Sequence, residues 1–330
     1  MTDILLLCGG DGAESSVSMV SADFIEKNLK AVSGFNVLRA VIHNHQFQVN
    51  EDLWLFDAQG NFSCGAKRFN PECVVPCIHG IPGETGDIQS FLEILDIPYI
   101  GCTAETSRYC FNKITTKLYL SALGIPNTPY VMIPRPDEEC RKRALEFFGS
   151  YGNVYVKAAS QGSSVGCYHV TSKDDLWDEV LEAFKYSSEV ILEKNIVHRE
   201  LECAAYTYNN ELVIAGPGEI IMPDNVFYTY EEKYSKDSRT KTTVEPQGLD
   251  PKDVARIREL ACRVFTGLKL RDLSRIDFFL SEEDGVLVNE INTFPGMTPI
   301  SMFPKLLEHH GDSMPKFLEQ CVERAIAHKH

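Results

Sequence analysis

Two short segments near the end of the chain place charged and amide side chains at alternate positions. In Arg275-Ile-Asp277-Phe-Phe-Leu the guanidinium and the acid stand two apart, and in Asn-Glu290-Ile-Asn292 so do the second acid and the amide. Residues two apart on a strand share a face. If the two strands pair across the short 281–285 connection, Asp277, Glu290 and Asn292 converge. Two carboxylates and an amide are hard oxygen donors, suited to Mg²⁺ whose shell is completed by substrate phosphates. The neighbours Phe278, Leu280, Val288 and Ile291 are apolar, and polar groups in such company are costly unless they are used. A structural ion pair is the other use of the same residues.

Four further segments could join that chemistry. Gly9-Gly10-Asp11-Gly12-Ala13-Glu14-Ser15-Ser16 is a glycine turn between an apolar run and a helical pattern. Backbone amides at such a helix start can receive an anion, although an ordinary strand–helix turn reads the same way. The loop Lys157-Ala-Ala-Ser-Gln-Gly-Ser163-Ser164-Val-Gly166 follows a strand ending in lysine. Small residues can fold N–H and O–H donors around phosphate oxygens while the lysine supplies charge; a flexible hairpin loop is the alternative. The apolar run ending in Glu193-Lys194-Asn-Ile196 could line an adenine pocket, or be a core strand with a solvated end. The segment from Asp224 through Phe227, Lys233 and Tyr234 to Lys241 is long, polar and aromatic, with a local charge of +3 between 233 and 241. Long loops of this kind are often lids, the alternative being a solvated excursion.

The elements needed to position these groups are visible as apolar patterns. Apolar runs at 4–8, 37–41 and 74–78 read as strands, and Val17, Val20, Phe24, Ile25 and Leu29 recur at helical spacing. Another helix reads at 88–95. Strand–helix alternation of this kind indicates a parallel sheet with helices on its faces. A single helix is expected over 108–123. Strands follow at 154–157, 167–170 and 189–194, with a helix at 175–186. Beyond 200 the chain reads as strand-rich (200–208, 211–221, 274–280 and 286–289), with helices at 251–267 and 314–326.

Composition narrows the classes. The 330 residues exceed one ordinary core and suggest two or three domains. A formal charge of −15 argues against a nucleic-acid or anionic-membrane surface, which would need clustered Lys and Arg. It leaves room for a phosphate pocket. No run approaches the roughly 18 apolar residues of a membrane span, and the opening lacks the basic start of a signal peptide. The 11 cysteines contain no C-x-x-C and read as reduced, buried thiols.

Taken in order, these segments resemble the D-alanine–D-alanine ligase family of the ATP-grasp superfamily, over nearly the whole chain. The blocks that carry the resemblance are GGDGAESSVSMVSA, CIHGIPGETGDIQSFLEILDIPYIGC, NKITTKLYLSALGIP, VYVKAASQGSSVG, VILEKNIVHRELE, FYTYEEKYS and RIDFF…NEINTFPGMTPIS. The resemblance implies an α/β fold: an N-terminal doubly wound parallel-sheet domain (1–102), then two ATP-grasp domains (103–196 and 197–330), with a lid at 224–245. It implies ATP-dependent joining of two D-alanines through an acyl phosphate, for peptidoglycan precursors. ATP would be held by Lys113, Lys157, Ser164, Glu193, Lys194, Ile196, Glu200, Phe227 and Lys233. Asp277, Glu290 and Asn292 would bind two Mg²⁺, with Mn²⁺ as a substitute.

For the substrates, the resemblance implies that Glu14 holds the first ammonium, with Val17 and His79 nearby. Ser163 and Tyr234 would link the glycine-serine loop to the lid. Arg275 and the Gly296 N–H would face the oxyanion, and Ser301 the second carboxylate. A cytoplasmic homodimer without nucleic-acid or membrane partners is part of the same expectation.

Several positions depart from the family pattern: Ser15-Ser16, Thr85, Asn112, Ala158 after Lys157, and His198 where glycine is usual. The competing readings are a D-alanine–D-serine or, less well matched, a D-alanine–D-lactate ligase, and a nucleotide-binding paralogue without turnover. A dinucleotide oxidoreductase would leave the acidic set unexplained.

Overall fold

The computed structural model describes residues 1–221 and 240–328. Strand β1 (Thr2–Gly9) carries the first apolar run and pairs in parallel with β2 (Phe35–His43) and β7 (Cys73–Pro76). Helix α1 (Ser15–Lys30) makes the crossover from β1 to β2. Here the strand–helix alternation holds. Beyond β2 it does not: β3 (Gln46–Val49), β4 (Asp52–Phe56), β5 (Phe62–Cys64) and β6 (Lys67–Phe69) form an antiparallel meander, giving the order β6-β5-β4-β3-β2-β1-β7. The apolar pattern of the chain does not mark these four strands. Their turns use left-handed backbone at Asn44, His45 and Asn50, which Asn adopts more readily than most residues.

The helix expected over 108–123 is two helices, α3 (Ala104–Phe111) and α4 (Lys113–Ala122), preceded by α2 (Asp87–Ile94). The break is at Asn112, whose backbone is extended (φ −85°, ψ 111°) and whose side chain accepts from the Thr115 N–H at 3.0 Å. An N-cap of this kind satisfies a donor the helix cannot. It also places Lys113 on the first turn of α4.

The second sheet has the order β10-β9-β11-β8, built from β8 (Tyr130–Ile133), β9 (Val154–Ala158), β10 (Cys167–Val170) and β11 (Val190–Lys194). Helices α5 (Glu138–Tyr151) and α6 (Leu176–Ala183) cover it. The third has the order β14-β13-β12-β15-β16, from β12 (Arg199–Tyr208), β13 (Glu211–Ile221), β14 (Lys241–Thr243), β15 (Leu273–Ser281) and β16 (Gly285–Asn292).

Alternation along β12 sorts its two faces. Leu201, Cys203 and Ala205 pack with α7 (Pro251–Gly267), while Ala204 and Tyr206 pack with α8 (Met302–His309) and α9 (Met314–Ala327). The second of these cores also takes Ile4, Leu6 and Cys8 of β1 and Ala22 and Ile25 of α1. The first and third sheets are therefore joined by one apolar core, which fixes the start of α1 relative to the end of β16. No helix among the described residues is long and apolar enough to cross a membrane. All 11 cysteines are free, eight of them buried.

Candidate active site

Two adjoining cavities open where the three sheets meet. The first, about 410 Å³, has Glu14, His79 and Glu84 on one side and Arg275, Asn292 and Gly296 on the other. The second, about 450 Å³, is walled by Lys157, Ser164, Glu193, Ile196 and His198. Lys113, Ser163, Glu200 and Glu290 border both. A ligand in one cavity thus meets the same cations and acids as a ligand in the other.

The floor of the second cavity is a charged triad. Glu193 Oε2 lies 2.6 Å from Lys157 Nζ and its Oε1 lies 3.1 Å from Lys117 Nζ, with Glu193 and Lys117 both buried. Burial opposes the charge on Glu193, but the two ammoniums outweigh it and draw its pKa down to about 2. The same burial lowers Lys117, only partly offset by Glu193, while Glu193 more than offsets burial at Lys157 and holds its ammonium above the usual range. Two cations against one anion leave an excess positive charge facing the cavity, which suits polyphosphate. Lys117 was not among the sequence candidates. Its place four residues after Lys113 on one helix face was the available signal.

Aromatic pairs flank that cavity. Tyr155 stacks on His169 with ring centroids 4.8 Å apart, and His198 lies over Phe279 at 3.7 Å; all four rings border the space. Flat apolar walls with polar edges fit a heterocyclic base. His198 does not take a left-handed φ, so the backbone here does not require the glycine usual in the family.

The glycine-serine loop is closed at its base by the Ala158 N–H donating to the Gly166 carbonyl at 2.8 Å, a bond proline could not make. At its tip Ser163 and Ser164 both have left-handed φ, 48° and 61°, the kind of local strain that accompanies ligand-binding loops. Ser163 Oγ donates to Glu14 Oε1. Glycines leave room for that carboxylate: a Cβ on Gly80 would come within 2.8 Å of Glu14 Oε2, and one on Gly162 within 2.9 Å. Lys113 Nζ donates to the Gln161 carbonyl at 2.6 Å, tying the loop to α4.

On the third sheet Asp277 faces Glu290 in register, and Arg275 faces Asn292. Arg275 holds both oxygens of Asp277 at 2.7 Å, lies 3.3 Å from Glu202, and Asn292 Nδ2 is 3.0 Å from Asp277 Oδ2. Burial disfavours the guanidinium's charge, but Asp277 and Glu202 overcome this and raise its pKa further. Among the described residues no three His, Cys, Asp or Glu side chains group as a metal site. Two carboxylates and an amide whose oxygen is one flip away still fit Mg²⁺, because that ion keeps positions for water and phosphate oxygens. Glu290 and Asn292 reach the cavity wall, whereas Asp277 is buried behind it.

Of the remaining sequence candidates, Ser301 and Gly296 border the first cavity, and a Cβ on Gly296 would come within 2.9 Å of Ser301 Oγ. Lys194 borders the second, its ammonium held by Asp284 at 2.9 Å. Val17 is buried on α1 and lines neither cavity. Phe227, Lys233 and Tyr234, with most of the 224–245 loop, lie outside the described residues. Besides Lys117, sequence reasoning missed Glu84 and Glu202. Glu202 could have been found from its position two after Glu200 on one strand face. Burial and the neighbouring Glu14 raise the Glu84 pKa to about 8, an effect without a local sequence signal.

The family model described as D-ala D-ala ligase N-terminus matches residues 3–102, and that described as D-ala D-ala ligase C-terminus matches 119–323. The D-alanine–D-alanine ligase of Tolumonas auensis is 51% identical over 326 residues, covering 98% of each chain. That of Aeromonas hydrophila is 50% identical, again over 98% of each. Among solved structures, D-alanyl-alanine synthetase A from Vibrio cholerae superposes with a TM-score of 0.94 at 47% identity, covering 99% of this chain and 98% of that one. The VanG D-Ala:D-Ser ligase from Enterococcus faecalis has a TM-score of 0.87 at 26% identity, covering 98% and 99%.

Proposed function

The chain belongs to the D-alanine–D-alanine ligase family, and we propose on that footing that its second cavity holds ATP and its first two D-alanine molecules. It is an ATP-dependent ligase that joins D-alanine to D-alanine, the reaction that supplies the dipeptide of peptidoglycan precursors. The observation that carries the assignment of the cavities is their shared wall of Lys113, Ser163, Glu200 and Glu290.

A carboxylate is a poor electrophile, so the first D-alanine, its ammonium on Glu14 beside His79, accepts the terminal phosphoryl group of ATP. Lys113, Lys157, Ser164 and Lys233 hold the phosphates, which is how phosphoryl transfer is catalysed without a covalent enzyme intermediate. Lys117 keeps Glu193 paired while Lys157 turns to the phosphates. Glu193, Lys194, Ile196, Glu200 and Phe227 surround the base and ribose. Two Mg²⁺ ions, or Mn²⁺, held by Asp277, Glu290 and Asn292 would neutralise phosphate charge when bound.

The acyl phosphate must be kept from water, a task this reading gives to the segment 224–245, with Tyr234 and Ser163 as the residues that serve it. The second D-alanine, its carboxylate at Ser301, attacks as the neutral amine. Arg275 and the Gly296 N–H receive the charge of the tetrahedral oxyanion, and phosphate leaves with its bonding pair and takes up the proton the attacking nitrogen loses.

Three domains (1–102, 103–196 and 197–330), a homodimer and a cytoplasmic location complete the reading. The deciding experiment measures ADP release from Mg²⁺-ATP with D-alanine, D-serine or D-lactate, and identifies the product by mass. D-alanyl-D-alanine is expected. Nucleotide binding without ADP release on any of the three would overturn the assignment, and preferred incorporation of D-serine would reassign the second substrate.

A further inference from the structure

The segment Thr293–Met297 follows β16 and belongs to no strand or helix, yet Phe294 and Met297 are 3% and 1% exposed. Buried backbone groups outside a ladder need other partners. Here they find them on the N-terminal sheet unit. His79 Nδ1 lies 3.2 Å from the Phe294 carbonyl, His79 Nε2 lies 2.8 Å from Ser21 Oγ, and the Met297 N–H donates to Ser21 Oγ at 3.1 Å.

The proton positions follow from chemistry. A carbonyl only accepts, so Nδ1 carries the imidazole proton, and Nε2 of the neutral ring accepts from the Ser21 hydroxyl. Ser21 Oγ then takes the Met297 N–H on its lone pair. Burial lowers the His79 pKa and favours this neutral form. The segment is thus gripped on both sides of Pro295-Gly296 by side chains 276 and 215 positions away in sequence.

We propose that Ser21 is a positioning residue: with His79 it closes a hydrogen-bonded ring that sets the Gly296 amide against the reacting carbonyl, so that the N-terminal unit shapes the oxyanion site of the third sheet. This rests on the ligase reading, which makes the Gly296 N–H an oxyanion donor. Ser21 is fully buried on α1 and touches no cavity, so it acts through its two partners, the loop and His79. Donors of this kind must be held to roughly 0.5 Å, and a misplacement of about 1 Å costs up to about 100-fold in rate.

The test compares Ser21→Ala, Ser21→Thr, His79→Asn and the Ser21→Ala/His79→Asn pair with the unaltered enzyme. Expected for Ser21→Ala is a fall in kcat of roughly 10- to 100-fold, with directly measured ATP affinity within about twofold. Ser21→Thr keeps the hydroxyl and should restore most of the rate. Residues acting as a unit are non-additive, so the double variant should lose little more than the worse single one. Unchanged kcat in Ser21→Ala, additive losses, or a loss falling equally on ATP affinity would overturn the proposal. If Ser21→Ala does not fold, His79→Asn reads the same ring, since its amide can still donate to Phe294 but cannot engage Ser21; unchanged kcat there would likewise overturn it. An unaltered enzyme that makes no dipeptide would defeat the ligase reading itself, a distinct outcome.

Discussion

Lys117 Nζ lies 3.1 Å from Glu193 Oε1, and both groups are sealed from solvent beneath the second cavity. Lys117 also donates to the Thr128 carbonyl at 3.2 Å, so its ammonium is fixed while that of Lys157 faces the cavity.

Removing the fixed cation should hurt both folding and nucleotide binding. Breaking a buried pair typically costs about 3 kcal/mol or more, and Lys157 offsets part of this by remaining on the other oxygen. Lys117→Met is expected to lower Tm clearly and to raise the KM for ATP several-fold with a smaller change in kcat. Thermal unfolding and steady-state kinetics check it; an unchanged KM for ATP would contradict the role.

Arg275 is tied to Asp277 through two bonds of 2.7 Å. Arg275→Ala should reduce kcat by about 100- to 1000-fold, the usual cost of an oxyanion donor, while nucleotide affinity falls far less. Arg275→Lys should not restore it, because a point charge cannot make the two-pronged contact. Equal losses in turnover and nucleotide binding, read by calorimetry, would count against the oxyanion role.

Two carboxyls give stability opposite pH dependences. Glu193, with its folded pKa near 2, contributes stability that is present above the unfolded value near 4.3 and lost as pH falls toward 2. Glu84, raised to about 8, favours the folded state in its protonated form, so that contribution is complete below about 4.3 and lost as pH rises through 8. Glu84→Gln should therefore flatten the fall in Tm between pH 5 and 8. Parallel curves for variant and unaltered enzyme would refute this.

The Ala158 N–H closes the glycine-serine loop on Gly166. Ala158→Pro should cost about 1 kcal/mol through loss of that hydrogen bond and raise the KM for ATP. An unchanged KM would mean that Ser163 and Ser164 are held by their other contacts alone.

Gly162→Ala would set a methyl 2.9 Å from Glu14 Oε2. Because Glu14 is also held by Ser163, it cannot move aside freely. The KM for the first D-alanine should rise, with ATP affinity little altered, and kinetics in the two substrates separate the effects.

That Arg275 shares a face with Asp277, and Glu290 with Asn292, was legible in the chain from strand alternation, but setting Asp277 opposite Glu290 took the irregularity between Asp277 and Phe278, since the register of Phe278 with Val288 would otherwise place Asn289 there. The glycine-serine loop was legible for a similar reason, its small residues lying between two strands. The meander β3–β6 was not legible, since its short strands carry no extended alternation. Nor was the break at Asn112, where a cap outcompetes an otherwise continuous helical pattern.

What the sequence by itself determined is therefore local: which residues alternate on a strand, where small residues make a loop, and which family that order of segments resembles. Tertiary structure alone decided which distant groups meet. Lys117 reaches Glu193, Ser163 reaches Glu14, and Ser21 with His79 grips Phe294 and Met297 because packed cores bring their backbones together. The Glu84 and Glu193 pKa values follow from those meetings, since desolvation and neighbouring charge depend on separation in space, which spacing along the chain does not encode.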